Sequence, residues 1–128
     1  MKILLIGSGG REHAIAKSLS SSTRLSELYI APGNAGTKEF GVNVDLAVDD
    51  FEGLLTFVKT KGINMTVVGP EDPLVGGIVD YFESQGEIII GPSKQGAQLE
   101  GSKEWAKRFM KTHGIPTAGY ETFTNAEC

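Results

Sequence analysis

Four short apolar runs, each closed by a turn rich in glycine or proline, constrain this chain more than any other feature. Ile3–Ile6 runs into GSGG (Gly7–Gly10) and Leu28–Ala31 into APGNAG (Ala31–Gly36). Met65–Val68 runs into GPEDP (Gly69–Pro73), and Ile88–Ile90 into GPS (Gly91–Ser93). The runs are continuous rather than alternating, as in strands buried on both faces. Val42–Val44 is a weaker candidate strand. Between the runs, apolar residues recur at helical spacing: Ile15 and Leu19, then Phe51, Leu54, Leu55 and Val58, then Val75, Ile78, Val79 and Phe82. Such alternation predicts an α/β domain, an open and mostly parallel sheet flanked by helices with right-handed crossovers. Every one of these turns follows a strand and so lies at the carboxyl edge of the sheet, where open α/β folds hold ligands. Turns use Gly and Pro for conformational reasons alone, but four on one edge point to a shared crevice.

A chain of 128 residues fits one domain and buries roughly two-thirds of its unfolded surface. The formal charge of -4, with no basic tract, excludes a general nucleic-acid binder. Any phosphate must therefore be held by local geometry. Cys128 is the only cysteine, so no intrachain disulfide forms and a reducing compartment fits. The apolar start ILLI is too short for a signal-peptide core or a membrane helix. The expectation is a cytoplasmic protein with no membrane partner.

Beyond the last apolar run the pattern changes. Ser93–Glu100 reads as a short helix capped by Ser93. GSKEWAKRFMKTHG reads as a longer one, with Ser102 as N-cap and Gly114 as its stop. Trp105, Ala106, Phe109 and Met110 give it an apolar stripe that reads as core packing. Gly119–Phe123 reads as extended. Thr124–Glu127 has the spacing of a capping box, yet no helix body follows it, as expected of a piece of a longer protein.

The stretch GSGGREH (Gly7–His13) carries the chemistry. Its glycines let the chain turn tightly and a ligand approach the backbone. The helix that follows offers free N–H groups and a partial positive charge, an anion site. A dinucleotide fingerprint, G-x-G-x-x-G, is met at Gly7 and Gly9 but fails at Glu12. No acid follows strand 2 to hold a ribose hydroxyl, since that strand ends in Ala31-Pro32. A carboxylate at Glu12 would also repel a pyrophosphate. A P-loop is excluded, because no Gly-Lys-Ser/Thr follows the turn. Arg11 offers a charged fork suited to phosphate or carboxylate. Glu12 either complements the helix dipole or meets the ligand, and His13 reads as a structural residue. Metal binding by His13 with His113 is not expected.

Of the acids in GPEDP, Asp72 reads as an N-cap with Pro73 at the first helical position. Glu71 has no such role and suits hydrogen bonds from sugar hydroxyls or an amine. Asp49 and Glu52 have capping-box spacing and receive no chemistry. Asn34, between Gly33 and Gly36, is either a turn former or a ligand donor.

Taken in order, GSGGREHA, APGNAGT, VVGPEDPL, IIIGPS and SKEWAKRFMKTHGIPTA resemble the N-terminal region of the phosphoribosylamine–glycine ligase (glycinamide ribonucleotide synthetase) family, within the ATP-grasp superfamily. The resemblance covers nearly the whole chain. It implies a Rossmann-like domain preceding the ATP-grasp module, with residues 1–101 binding substrate and residues 102–128 forming a linker helix and the truncated start of that module. It implies a ligase that joins glycine to 5-phosphoribosylamine in purine biosynthesis, using ATP with Mg (or Mn). Carried over, Gly9, Gly10 and Arg11 lie at the phosphate with Glu12 nearby, Gly33 and Asn34 line the crevice, and Glu71 faces the ribose or its amine. Lys103 and Lys107 fall in the segment leading to the ATP-binding part, or are solvated helix lysines. The resemblance implies no catalytic or metal-binding residue in this stretch, no cofactor bound to it alone, and the remainder of the parent chain as its partner. Two other classes stand beside this reading: a dinucleotide-binding domain of an oxidoreductase, and a non-enzymatic α/β interaction module.

Overall fold

The computed structural model of the protein describes residues 1–123; the capping-box spacing at Thr124–Glu127 lies outside the described residues. Five strands form one sheet: β1 (Lys2–Gly7), β2 (Glu27–Pro32), β3 (Val42–Asn43), β4 (Met65–Val68) and β5 (Ile89–Ile90). Their order is β3-β2-β1-β4-β5, and every pairing is parallel. The sheet is thus fully parallel where the sequence predicts mostly parallel. Six helices connect or follow the strands: α1 (Gly10–Ser20), α2 (Phe51–Lys61), α3 (Glu71–Gly76), α4 (Ile78–Ser84), α5 (Lys94–Gly101) and α6 (Lys103–Thr112).

The pleat sorts β1 between two cores. Ile3 and Leu5 face α1, packing with Ala16, Leu28 and Ile30. Leu4 and Ile6 face the other way, toward Leu54 and Val58 of α2, Leu74 of α3, and Ile78, Val79 and Phe82 of α4. Because successive side chains point to opposite faces, a strand covered on both sides must be apolar throughout. Ile3–Ile6 are accordingly 0–3% exposed.

Three local readings are corrected by the structure. Asp50, not Asp49, caps α2, its side chain accepting from Gly53 N–H. α3 starts at Glu71 behind Pro70, so Asp72 lies inside the first turn and caps nothing. Pro73 is tolerated there because first-turn N–H groups have no intrahelical acceptor. The apolar spacing from Val75 to Phe82 is split between α3 and α4 by Gly77, whose φ of 98° only glycine adopts without strain.

The expected caps at Ser93 and Ser102 are both present, each hydroxyl accepting a backbone N–H of its helix. Gly114, with φ 65°, follows the end of α6. The stripe of α6 does not enter the core, however. Only Ala106 is buried there, because α6 lies against α5 and has no sheet beneath it. Gly119–Phe123 adopts no regular secondary structure.

Candidate functional site

The strand order places a topological switch point between β1 and β4: the chain moves outward to β2 and β3, then returns to the other side of β1. Open α/β sheets hold ligands in the crevice at such a point. The loops after β1, β2 and β4 meet there. Gly7 pairs with Pro32, and Ile6 with both Ala31 and Val68, so the three loops leave the sheet at the same height. Gly33 N–H donates to Gly7 O at 3.1 Å, and Gly69 N–H donates to Ile6 O at 3.0 Å.

Side chains then lock the loops together. Asn34 Oδ1 accepts from Gly36 N–H at 2.8 Å and Thr37 N–H at 3.0 Å, which forms the turn. Its Nδ2 donates to Ser8 O at 2.7 Å, tying the β2 loop to the β1 loop. Thr37, fully buried, receives Asn34 N–H on its hydroxyl at 2.8 Å. Asn43 Nδ2 donates to Asn34 O at 2.7 Å. Asn34 is thus a turn former and a cross-link between two loops.

Across the switch point, Arg11 Nη1 donates to Gly69 O at 2.8 Å. Its fork reaches the β4 loop from the first turn of α1. Glu12 is 4% exposed, and its Oε2 accepts from Gly9 N–H at 2.6 Å. That carboxylate sits beneath the turn, in space that only glycine leaves open. A Cβ on Gly7 would stand 2.5 Å from Glu12 Cγ, and one on Gly69 would collide with Glu12 Oε1. The Gly9 N–H is therefore already paired. Gly10 and Arg11 are the first two residues of α1, where N–H groups have no intrahelical acceptor. The His13 ring packs 5.3 Å from that of Phe40, centroid to centroid, and within reach of Gly36. Glu71, first residue of α3 and exposed, stands at the β4 side of the crevice.

The structure thus brings Gly9, Gly10, Arg11, Glu12, Gly33, Asn34 and Glu71 to one edge of the sheet. Lys103 and Lys107 lie apart from it on α6, where Lys107 Nζ donates to Thr117 Oγ1 at 2.6 Å and Ala118 O at 3.1 Å. A groove of about 480 Å³ lies between the end of α6 and residues 114–120, also away from this edge. Gly69, Ser8 and Thr37 were not singled out by sequence. Only Gly69 had a visible signal, its place at the end of an apolar run. Among the described residues no group of three or more His, Cys, Asp or Glu side chains is placed to hold a metal, and no helix is long and apolar enough to cross a membrane.

A parallel sheet whose glycine loops converge on a switch point beside a helix N-terminus defines an α/β domain of the Rossmann-like class. Residues 1–100 match the family model described as phosphoribosylglycinamide synthetase, N domain, and the chain belongs to that family. It is 54% identical over 129 aligned positions to a phosphoribosylamine–glycine ligase of Xylella fastidiosa, covering 99% of this chain and 30% of the relative. The chain thus spans about 30% of the length of the curated relatives it matches. The solved phosphoribosylamine–glycine ligase of Thermotoga maritima superposes with a TM-score of 0.65 at 36% identity, over 94% of this chain and 27% of that one. N5-carboxyaminoimidazole ribonucleotide synthetase of the same organism superposes with a TM-score of 0.72 at 20% identity, over 98% of this chain and 34% of that one. This last likeness is one of fold.

Proposed function

We propose that this chain is the substrate-binding N domain of a carbon–nitrogen ligase. The ligase joins glycine to 5-phosphoribosylamine with ATP hydrolysis and yields glycinamide ribonucleotide in de novo purine biosynthesis, in the cytoplasm. Family membership through residues 1–100 carries this reading. In the complete reaction the glycine carboxylate takes the γ-phosphoryl group of ATP, and ADP leaves. The amine of phosphoribosylamine then attacks the acyl carbon and expels phosphate.

That chemistry is assigned to the ATP-grasp module, to which residues 102–128 contribute a linker helix, α6, and the truncated start. Residues 1–101 hold the phosphoribosyl group. ATP and Mg (or Mn) would be held by the module, where the metal would supply charge compensation for phosphoryl transfer. The remainder of the ligase chain is the partner.

Within residues 1–101, Gly9 and Gly10 give the ligand close access to the backbone, and the Gly10 and Arg11 N–H groups receive the 5′-phosphate. Gly33 and the turn fixed by Asn34 wall the crevice on the β2 side. Glu71 accepts hydrogen bonds from a ribose hydroxyl or the amine. Glu12 supports the turn from beneath. Titrating the ¹⁵N-labelled protein with glycinamide ribonucleotide tests the reading. Amide shifts are expected at Gly9–Arg11 and at Glu71, and their absence at millimolar ligand overturns it.

A further inference from the structure

Gly69 is gripped from three sides. Its N–H donates to Ile6 O at 3.0 Å, its C=O accepts from Arg11 Nη1 at 2.8 Å, and the Glu12 carboxylate fills the space a Cβ would need. Two of these grips come from consecutive residues in the first turn of α1, 57 or 58 positions away along the chain. Gly69 in turn fixes Pro70, the N-cap of α3, and Glu71, its first residue. The hydrogen bond from Arg11 therefore spans the switch point and sets where Glu71 stands. The bond to Gly69 O occupies one of the five N–H donors of the Arg11 guanidinium and turns the side chain toward the β4–α3 loop.

We infer that Arg11 and Glu12 are positioning residues of the phosphoribosyl site, an inference that rests on the function proposed above. Together they clasp the β4–α3 loop to α1. Arg11 contributes to ligand affinity through Gly69 and Glu71 rather than by a direct side-chain bond to phosphate. A phosphate clamp and a clasp differ in two measurable ways. A clasp changes the β4–α3 loop before any ligand is present. It also serves every ligand that uses Glu71, phosphorylated or not.

Arg11→Ala in the 128-residue chain separates them. Without ligand, its ¹H–¹⁵N spectrum is expected to shift at Gly69, Glu71 and Asp72 as well as at the neighbours of position 11. Glycinamide ribonucleotide and its dephosphorylated riboside are each expected to bind about ten-fold more weakly, a loss of about 1.4 kcal/mol, while the melting temperature stays near that of the parent. A weakening confined to the ribonucleotide overturns the inference, as do ligand-free shifts confined to residues 10–13. If neither ligand binds the unsubstituted protein, the proposed function fails. The ligand-free spectrum still decides the clasp.

Discussion

The fit of Glu12 against Gly69 makes the substitution Gly69→Ala unusually clean. Gly69 is not among the residues with positive φ, so alanine meets no backbone penalty there. The three atoms nearest the new methyl all belong to Glu12, whose carboxylate stands where that methyl would be. Glu12 is buried and hydrogen-bonded to Gly9 N–H, so it has no solvent route that preserves that bond. Overpacking costs about 1–3 kcal/mol, and loss of a hydrogen bond to a charged group about 1.5–3 kcal/mol. Because the conflict is resolved by one or the other, Gly69→Ala is expected to cost about 2–3 kcal/mol. Glu12→Ala loses the bond to Gly9 and costs about 2 kcal/mol, but opens room for the methyl. The double variant should then be less unstable than the sum of the singles by at least about 1 kcal/mol, within the range for residues in contact. Urea unfolding of the four proteins, read at the midpoint with a common slope, measures this coupling. Additivity to within about 0.5 kcal/mol refutes the placement of Glu12 beneath Gly69.

Two further outcomes test other parts of the fold. Thr66, in the middle of the sheet, is fully buried, and its hydroxyl has no hydrogen-bond partner among the described residues. Thr66→Val removes that unmatched group at nearly constant shape and should stabilise by about 1 kcal/mol. The melting temperature then rises by about 3–5 °C, and a fall counts against the buried, unpaired hydroxyl. At the amino edge of the sheet, Lys2 Nζ pairs with Glu27 Oε1 at 2.9 Å, and Tyr29 OH donates to Glu27 Oε2. The Tyr29 hydrogen bond, then that of Lys2, holds Glu27 below the usual carboxylate range. The hydrogen bond to Glu27 holds Lys2 and Tyr29 above their ordinary values. The Glu27 contribution to stability is present above its unfolded pKa and is lost as pH falls through the lowered folded value. The Lys2 and Tyr29 contributions are present below their unfolded pKa values and are lost as pH rises through the raised ones. Glu27→Gln should flatten both flanks of the stability–pH curve by a small amount, because the cluster is exposed. A difference between the two proteins that is constant from roughly pH 3 to 11 refutes this linkage.

The sheet was legible because its strands are buried on both faces, and burial leaves an unbroken apolar run whatever the partner strand. The carboxyl-edge location of the loops followed from the same rule. Strand ends were less legible: β2 extends to Glu27 and Pro32, while Ile88 falls outside β5 and is 65% exposed. Helix starts went wrong where two acids adjoin or precede proline. Asp49 and Asp50 offer the same carboxylate one residue apart. The choice falls on Asp50 because Gly53, three positions on, leaves the space that its carboxylate occupies. The stripe of α6 looked like core because periodicity reports that a face is apolar, not what lies opposite it. The cross-links of the site join Arg11 to Gly69 and Asn34 to Ser8. They depend on which strands neighbour one another, and no local pattern encodes that.

The place of Glu12 at the head of α1 was legible in the sequence, whereas the direction of its side chain was not. By sequence it replaces the third glycine of a dinucleotide fingerprint, where a carboxylate would repel a pyrophosphate. Its geometry is instead that of the acid in a capping box, folded back onto the N-cap amide. The signature for that motif begins with Ser or Thr, and here Gly9 holds the position, so the pattern was hidden. The third fingerprint glycine ordinarily lets helix and strand approach closely. Here the glycines stand on the partners instead, at Gly7 and Gly69, and the side chain on the helix fills the gap they leave. Gly7 is doubly required, since its φ of 128° also disfavours any side chain. A glutamate at this place in the helix therefore demands glycine at the ends of both β1 and β4. The turn GSGG and the turn GPEDP, 62 positions apart at Gly7 and Gly69, are two halves of one packing requirement.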